Sequence, residues 1–413
     1  MRGAAVRLHP FHALRAAPDV VARVAAPPYD VVSRSEAAAL AGGNPLSFLH
    51  VSRSEIDVPD DVDPYDPRVY AKARENLDRL VADQALLREA GPALYLYREV
   101  MAGRAQVGVV GCVHVDDYER GVIKKHETTR PDKEDDRTRH VLATGAHAEP
   151  VLLAYRGRPE LDRLIDGAME TPPLYDFTAA DGVRHTVWPV RELGAVTEAF
   201  GRVPCAYVAD GHHRSASAAR AARQRRAGPP HPGGEAECNW FLAVLFPAAQ
   251  LDILAYNRVV RDLGARSAGE VLAELGKLGR LSATDDPVPP RGGSFCVYLE
   301  RRWRVLELPA SSIDHGDPIR SLDVSLLDER VLGPVLGIRD QRTDTRIDFV
   351  GGIRGTRALE ARVDSGEMAL AVSMCPTTVE QLMAVSDAGA IMPPKSTWFE
   401  PKLLSGLFVH TLD

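Results

Sequence analysis

Three stretches of this chain gather side chains able to do chemistry. In CAYVADGHHRSASAARAARQRR, a short apolar run at Cys205–Ala209 reads as a strand, Asp210-Gly211 as a turn and Ser215–Arg226 as an Ala-rich helix. A strand that hands over to a helix exposes backbone N–H groups and the positive end of the helix dipole, an arrangement that attracts anions. Gly211 lets the backbone come close to a ligand. His212, His213 and Arg214 add donors, and arginine suits bidentate contact with phosphate oxygens. Ser215 and Ser217 offer hydroxyls. The plain alternative is a helix start capped by Asp210, with the basic residues solvated. Two consecutive histidines and an arginine at such a turn favour phosphate. Zinc is disfavoured on the pair alone, because the adjacent His212 and His213 cannot readily reach one ion.

The second stretch is HETTRPDKEDDRTRH, from His126 to His140. A carboxylate such as Glu127, beside His126, can act as a general base or meet Mg²⁺, which usually takes one or two carboxylates plus substrate phosphates. Arg130 and Arg137 can hold an anionic substrate. The stretch reads equally well as a salt-bridged surface loop. It is not an HExxH zinc helix, because position 130 is Arg130. The third stretch, MPPKSTWFEPKLLSGLFVH, places Lys395, Ser396 and Lys402 among prolines and aromatics. Such a segment lines a phosphate site or, slightly favoured, docks the last strand. In PPYDVV, Asp30 follows a stiff Pro-Pro-Tyr and is either aimed into a cleft or caps the next turn. His9, His12, His114, His147 and His185 are isolated and carry no assigned role. Walker A, GxGxxG and GxSxG patterns do not occur, so P-loop, Rossmann and α/β-hydrolase mechanisms lack support.

Short strands and helices must position these residues. Ser33 is a cap for a helix at Arg34–Ala41, stopped by Gly42-Gly43, and a strand is expected at Ser47–Val51. Apolar residues at Val69, Ala73, Leu77, Leu80 and Leu87 predict a helix over Asp66–Glu89. A hairpin turns at Ala102-Gly103. From Tyr118 to Glu149 charge is dense, and no core element is expected before Val141. Strands follow at Val151–Tyr155, Tyr175–Thr178 and Val183–Val190, with helices at Pro159–Gly167 and Leu193–Arg202. A Pro/Gly-rich loop is expected over Arg225–Cys238. Strands at Asn239–Phe246 and Leu251–Val260 then close a first unit, residues 1–262. A second α/β unit, 263–413, is expected to return its segment 395–406 to the site.

The 413 residues suit two or three folding units, with 45% hydrophobic and 26% charged residues, an ordinary soluble balance. A net charge of −7 argues against a general nucleic-acid binder. No apolar run reaches the ~18–20 residues of a membrane span, and the N-terminus has no secretory apolar block. The five cysteines are dispersed and form no CxxC pair, which fits a reducing cytoplasm.

PFHALR, PPYDVVS, NPLSFLHVSR, KKHETTRPDKEDDR, GAHAEPVLL, ADGHHR, YNRVV and PPKSTWFEPKLLSGL together resemble the bacterial and archaeal family labelled domain of unknown function 1015, from about Pro10 to His410. The DGHHR segment is also similar to the phosphate-binding turn of the ParB and sulfiredoxin-like superfamily. That superfamily includes partition CTPases, sulfiredoxins and archaeal free-serine kinases. The resemblance implies a mixed α/β fold with a ParB/sulfiredoxin-like nucleotide-binding core, and phosphate contacts from Gly211, His212, His213 and Arg214. Sulfiredoxins carry a cysteine where this chain has His212, and partition proteins add a DNA-binding domain not seen here. The branch left is a small-molecule kinase. The expectation is a phosphotransferase using ATP or another nucleoside polyphosphate with Mg²⁺. It acts on a small hydroxyl compound, free L-serine being the specific candidate, with phosphates on the Asp210–Arg214 turn. The alternatives are a CTPase-like nucleotide switch without an acceptor and a hydrolase using His126 and Glu127 around a metal.

Overall fold

The computed structural model describes residues 5–229 and 233–413, so residues 230–232 of the expected loop lie outside it. The protein is a mixed α/β structure in two compact units. The first comprises Met1–Leu251 with Pro401–Asp413, and the second comprises Asp252–Glu400. The position after 262, where the strand at 251–260 is expected to close the first unit, falls inside the second unit. The reason is that the expected strand at 251–260 breaks into Asp252–Leu254 and Tyr256–Val260, and both pair only within that unit. The C-terminal segment also divides: residues up to Glu400 belong to the second unit and those from Pro401 to the first.

The main sheet of the first unit runs Ile123–Lys124, Ala206–Asp210, Val151–Tyr155, Trp240–Pro247, Arg104–His114, Tyr95–Met101, Arg184–Pro189, Tyr175–Thr178, and Leu8–His9 pairs onto Arg104–His114. Two neighbour pairs are parallel: Ala206–Asp210 with Ile123–Lys124, and Trp240–Pro247 with Val151–Tyr155. The hairpin turns at Ala102 and Gly103, both with positive φ as a two-residue turn requires. Central strands buried on both faces, such as Trp240–Pro247, are apolar almost throughout, and the Ala-rich helix His212–Ala227 buries Ala216, Ala218, Ala219 and Ala222 in the same core. Alanines let a helix approach a sheet closely without a gap.

A smaller sheet in this unit joins Leu86–Arg88, Ala13–Ala16, Phe408–Thr411 and Ala146–His147, which anchors both ends of the chain. The second unit is built on a six-stranded antiparallel sheet ordered Arg280–Ala283, Arg302–Glu307, Ser294–Leu299, Leu370–Met374, Tyr256–Val260, Ile347–Gly351. No described helix is long and apolar enough to cross a membrane.

The Arg34–Ala41 helix has the capping box formed by Ser33 and Glu36 and ends at Gly42. Three local expectations fail for physical reasons. Residues 47–51 do not form a strand: Leu49–Ser52 is a helical turn, set by Asn44, which accepts the Leu46 N–H, and by Asn76, which donates to the His50 carbonyl. The helix begun by the Asp66 cap stops at Ala82, because Gln84 turns left-handed (φ 57°) and Leu86–Arg88 becomes a strand. The charged stretch contains a full helix, Pro131–Thr144, with Pro131 in its first turn and Gly145 left-handed at its end. Its buried face is polar (Asp136, Thr138, His140), which hides it from an apolar periodicity.

Burial lowers the pKa of His185 and His140 from 6.5 to about 4 and holds that of His147 well below 6.5. His185 is 1% exposed, with the Tyr97 hydroxyl 2.7 Å from its Nδ1. The unfolded chain therefore takes up protons first as pH falls, so the stabilisation is complete above about 6.5 and is lost toward 4. For His185 alone the full loss is about 3 kcal/mol. Urea unfolding at pH 7, 6 and 5 should show falling stability, and substitution of His185 by Gln should flatten that slope. A pH-independent midpoint would contradict this account.

Candidate functional site

The sheet topology brings three segments to one edge. Ala206–Asp210 runs parallel to Ile123–Lys124, so both strands end on the same side, leading into Gly211 and into Lys125–Glu127. It runs antiparallel to Val151–Tyr155 with Asp210 opposite Leu152, so Glu149 and Pro150 enter at that same edge. A register shift between Val208 and Asp210 marks the end of regular pairing. Here the chain turns at Gly211 (φ 98°, ψ 33°) and the helix starts at His212, three residues earlier than its apolar pattern predicts. Among the described residues no side chain caps this start, so Asp210 is not a helix cap. The leading amides of the 16-residue helix thus keep their capacity for an anion.

Asp210 instead pairs with Arg214 at 2.7 Å and with Lys402 at 3.5 Å. Arg214 also donates to the Pro150 carbonyl and lies 3.5 Å from Asp30. A Cβ on Gly211 would come within 3.1 Å of the Arg214 Nε, so glycine is required both by the left-handed turn and by the guanidinium lying across it. Burial works against the Arg214 cation, but Asp30, Asp210 and Glu149 outweigh it and raise its pKa. Burial likewise opposes the Asp210 carboxylate, and Lys402, Arg214 and His212 overcome it and hold its pKa well below the usual range.

Beneath this lies a second set of paired charged groups. Glu149 accepts the Tyr29 N–H at 2.9 Å and the Ser405 hydroxyl at 2.8 Å. Burial raises its pKa, with Arg214 and Arg137 acting in the opposite direction. Arg137 stacks over the Tyr29 ring at 4.2 Å and pairs with Asp136 at 2.8 Å. A cavity of about 30 Å³ lies between the charged groups Arg137, Glu149 and Arg214 and apolar side chains such as Val141, Phe241 and Leu242, and is of a size for water.

The two adjacent histidines diverge. His213 accepts the Arg130 N–H through Nε2 at 3.1 Å, which ties the loop after Glu127 to the helix start. His212 turns inward, and its ring meets His126 edge to face, with centroids 4.4 Å apart. Burial lowers the His126 pKa to about 4, and burial together with His126 lowers that of His212 well below 6.5, so both rings are neutral at pH 7. Ligand atoms of His126, Glu127 and His212 lie within 4.8 Å of one another.

The sequence candidates thus sort by position. Asp30, His126, Glu127, Asp210, Gly211, His212, His213, Arg214 and Lys402 converge in the first unit, with Arg137 behind them. Arg130 contributes its backbone, while its side chain points to the surface and pairs with Asp132 at 2.8 Å. The hydroxyls of Ser215 and Ser217 donate to the carbonyls of Gly211 and Glu134. Lys395 and Ser396 belong to the second unit. There Lys395 lies over the Tyr256 ring at 5.5 Å, and the Ser396 hydroxyl donates to the Pro393 carbonyl at 2.6 Å. Sequence reasoning assigned no role to Tyr29 or Glu149. The only signal was a carboxylate directly before Pro150 at the start of an apolar strand.

The profile of a family described as "Protein of unknown function (DUF1015)" matches residues 8–325. No curated protein matches the chain. Among solved structures, a free serine kinase in complex with AMP is similar at 15% identity and TM-score 0.35, over 72% of this chain and 92% of that one. A conserved hypothetical protein from Pyrococcus furiosus is similar at 14% identity and TM-score 0.33, over 72% and 95%. SbnI with a C-terminal truncation, from Staphylococcus aureus, is similar at 13% identity and TM-score 0.38, over 72% and 85%.

Replacing Arg214 by Met would leave Asp30, Asp210 and buried Glu149 without their shared cation. Breaking a buried pair by removing one partner typically costs about 3–5 kcal/mol. Urea unfolding of Arg214→Met should show a loss in this range, and a change below about 1 kcal/mol would show that these carboxylates do not depend on Arg214.

Proposed function

The chain belongs to the DUF1015 family, and we propose that it is a nucleotide-dependent phosphotransferase acting on a small hydroxyl compound, free L-serine being the specific candidate. One observation carries this reading: the His212 helix start has no side-chain cap among the described residues and is flanked by Arg214 and Lys402. A nucleoside triphosphate binds with its terminal phosphates over the first-turn amides, where the helix dipole supplies the field. Mg²⁺ arrives with the nucleotide, held mainly by phosphate oxygens and water, and Glu127 is the carboxylate placed to meet it.

Phosphoryl transfer asks chiefly for position and charge stabilisation. The acceptor hydroxyl oxygen bonds to the γ-phosphorus, the bond to the β–γ bridging oxygen breaks, and the nucleoside diphosphate leaves. The acceptor proton goes to a carboxylate. Of the two candidates, Asp30 fits this role: its side chain is 37% exposed, beside Arg214, whereas Glu127 borders two imidazoles. The acceptor's own carboxylate finds its counter-charge in Lys402, 17% exposed.

Incubation with ATP, CTP or GTP, Mg²⁺ and a pool of amino acids should yield an acceptor heavier by one phosphoryl group, detected by mass. Slow nucleotide hydrolysis that ignores every acceptor would support the switch reading instead. Asp30→Asn should lower turnover by about 10²–10⁴-fold while nucleotide affinity stays within a few-fold. Lys402→Met should act mainly on the acceptor KM. Turnover that survives Asp30→Asn would remove Asp30 as the base.

A further inference from the structure

We propose that His126, Glu127 and His212 form a resident binding site for a divalent transition-metal ion of the Zn²⁺, Mn²⁺ or Fe²⁺ type. His126 and Glu127 leave the sheet edge on one strand's exit, and His212 opens the helix on the neighbouring strand's exit. The parallel pairing of those strands therefore builds the cluster. One ligand atom from each residue lies within 4.8 Å of the others. Bonds of about 2.1 Å place tetrahedral ligands about 3.4 Å apart, so small side-chain rotations close the cluster onto an ion.

Two further features separate this cluster from a chance meeting of polar groups. His212 is 6% exposed, and its Nε2 has no hydrogen-bond partner among the described residues. A buried ring nitrogen left so is costly unless something binds it. His126 is 1% exposed and hydrogen-bonds to the Val208 carbonyl. A backbone carbonyl commonly orients a metal-bound imidazole in this way. Two imidazoles and one carboxylate are the wrong set for Mg²⁺ or Ca²⁺, which prefer oxygen, and the right set for borderline first-row ions with open positions. A water or a phosphate oxygen would fill the positions that these three side chains leave open. This deepens the proposed function by naming a second cation for the same site, but the metal site itself does not depend on that reading.

The test uses the full chain, stripped with a chelator and titrated with Co²⁺ as a spectroscopic probe. One equivalent of Co²⁺ should bind with visible d–d absorption, and Zn²⁺ should displace it. His212→Gln and Glu127→Gln should each weaken Co²⁺ binding at least tenfold, while His12→Gln, at an exposed histidine, should leave it within twofold. Because His212 is buried, circular dichroism checks its variant for folding, and the half-buried Glu127 variant decides the matter if that variant is unfolded. Absence of the Co²⁺ bands in the wild type, or their survival in both variants, overturns the proposal. Calorimetry of the metal-stripped protein with ATP and Mg²⁺ separates the two readings. Metal bound without nucleotide upholds this site and removes the phosphotransferase. Nucleotide bound and turned over without any Co²⁺ signal does the reverse.

Discussion

The first unit depends on one buried cation. Arg214 lies across the Gly211 turn and draws together Asp210, Asp30, Glu149 and the carbonyl of Pro150, groups that come from far-apart stretches of chain. A guanidinium taken out of water demands such partners, since desolvation of an unpaired charge costs several kcal/mol. Once Arg214 is fixed, a side chain at the left-handed Gly211 turn would crowd its guanidinium, and the start of the helix is held toward one edge of the sheet. Lys402 completes the balance from the C-terminal segment.

The same constraint sets the character of the site. Positive groups are matched closely by carboxylates, so the edge is a compensated network rather than a bare basic patch. Such a network keeps its geometry without a ligand, and a bound anion need not reorganise it. Around it, each supporting side chain answers to a neighbour: Glu149 to Tyr29 and Ser405, Arg137 to Tyr29 and Asp136, His213 to the Arg130 amide. Preorganisation of this kind is what phosphoryl transfer uses, because little covalent chemistry falls to the protein.

The His212–His126 contact shows how adjacent residues in sequence take unlike tasks. Successive side chains on a helix point about 100° apart, so His212 enters the core while His213 faces the loop. That divergence keeps the two adjacent rings from meeting at one point. The ring that His212 meets, His126, lies just past the end of a strand that is distant in sequence and parallel in the sheet.

Much of this was legible in the sequence. The Ser33 cap and Gly42 stop, the Ala102-Gly103 hairpin, the strand before Asp210 and the glycine turn after it are local signals, readable because turns, caps and alternation act over a few residues. The residue types at Asp30, Glu127 and Asp210–Arg214 announced charge chemistry for the same reason. The tertiary structure decided the rest. The helix Pro131–Thr144 escaped an apolar pattern because its inward face is polar, and Glu149 escaped because its partners lie at Tyr29, Arg214 and Ser405. Arg130 and Arg137 look alike in sequence, yet one pairs at the surface and the other is packed over an aromatic ring. Strand order and long-range charge pairing are properties of the folded chain, and no local window contains them.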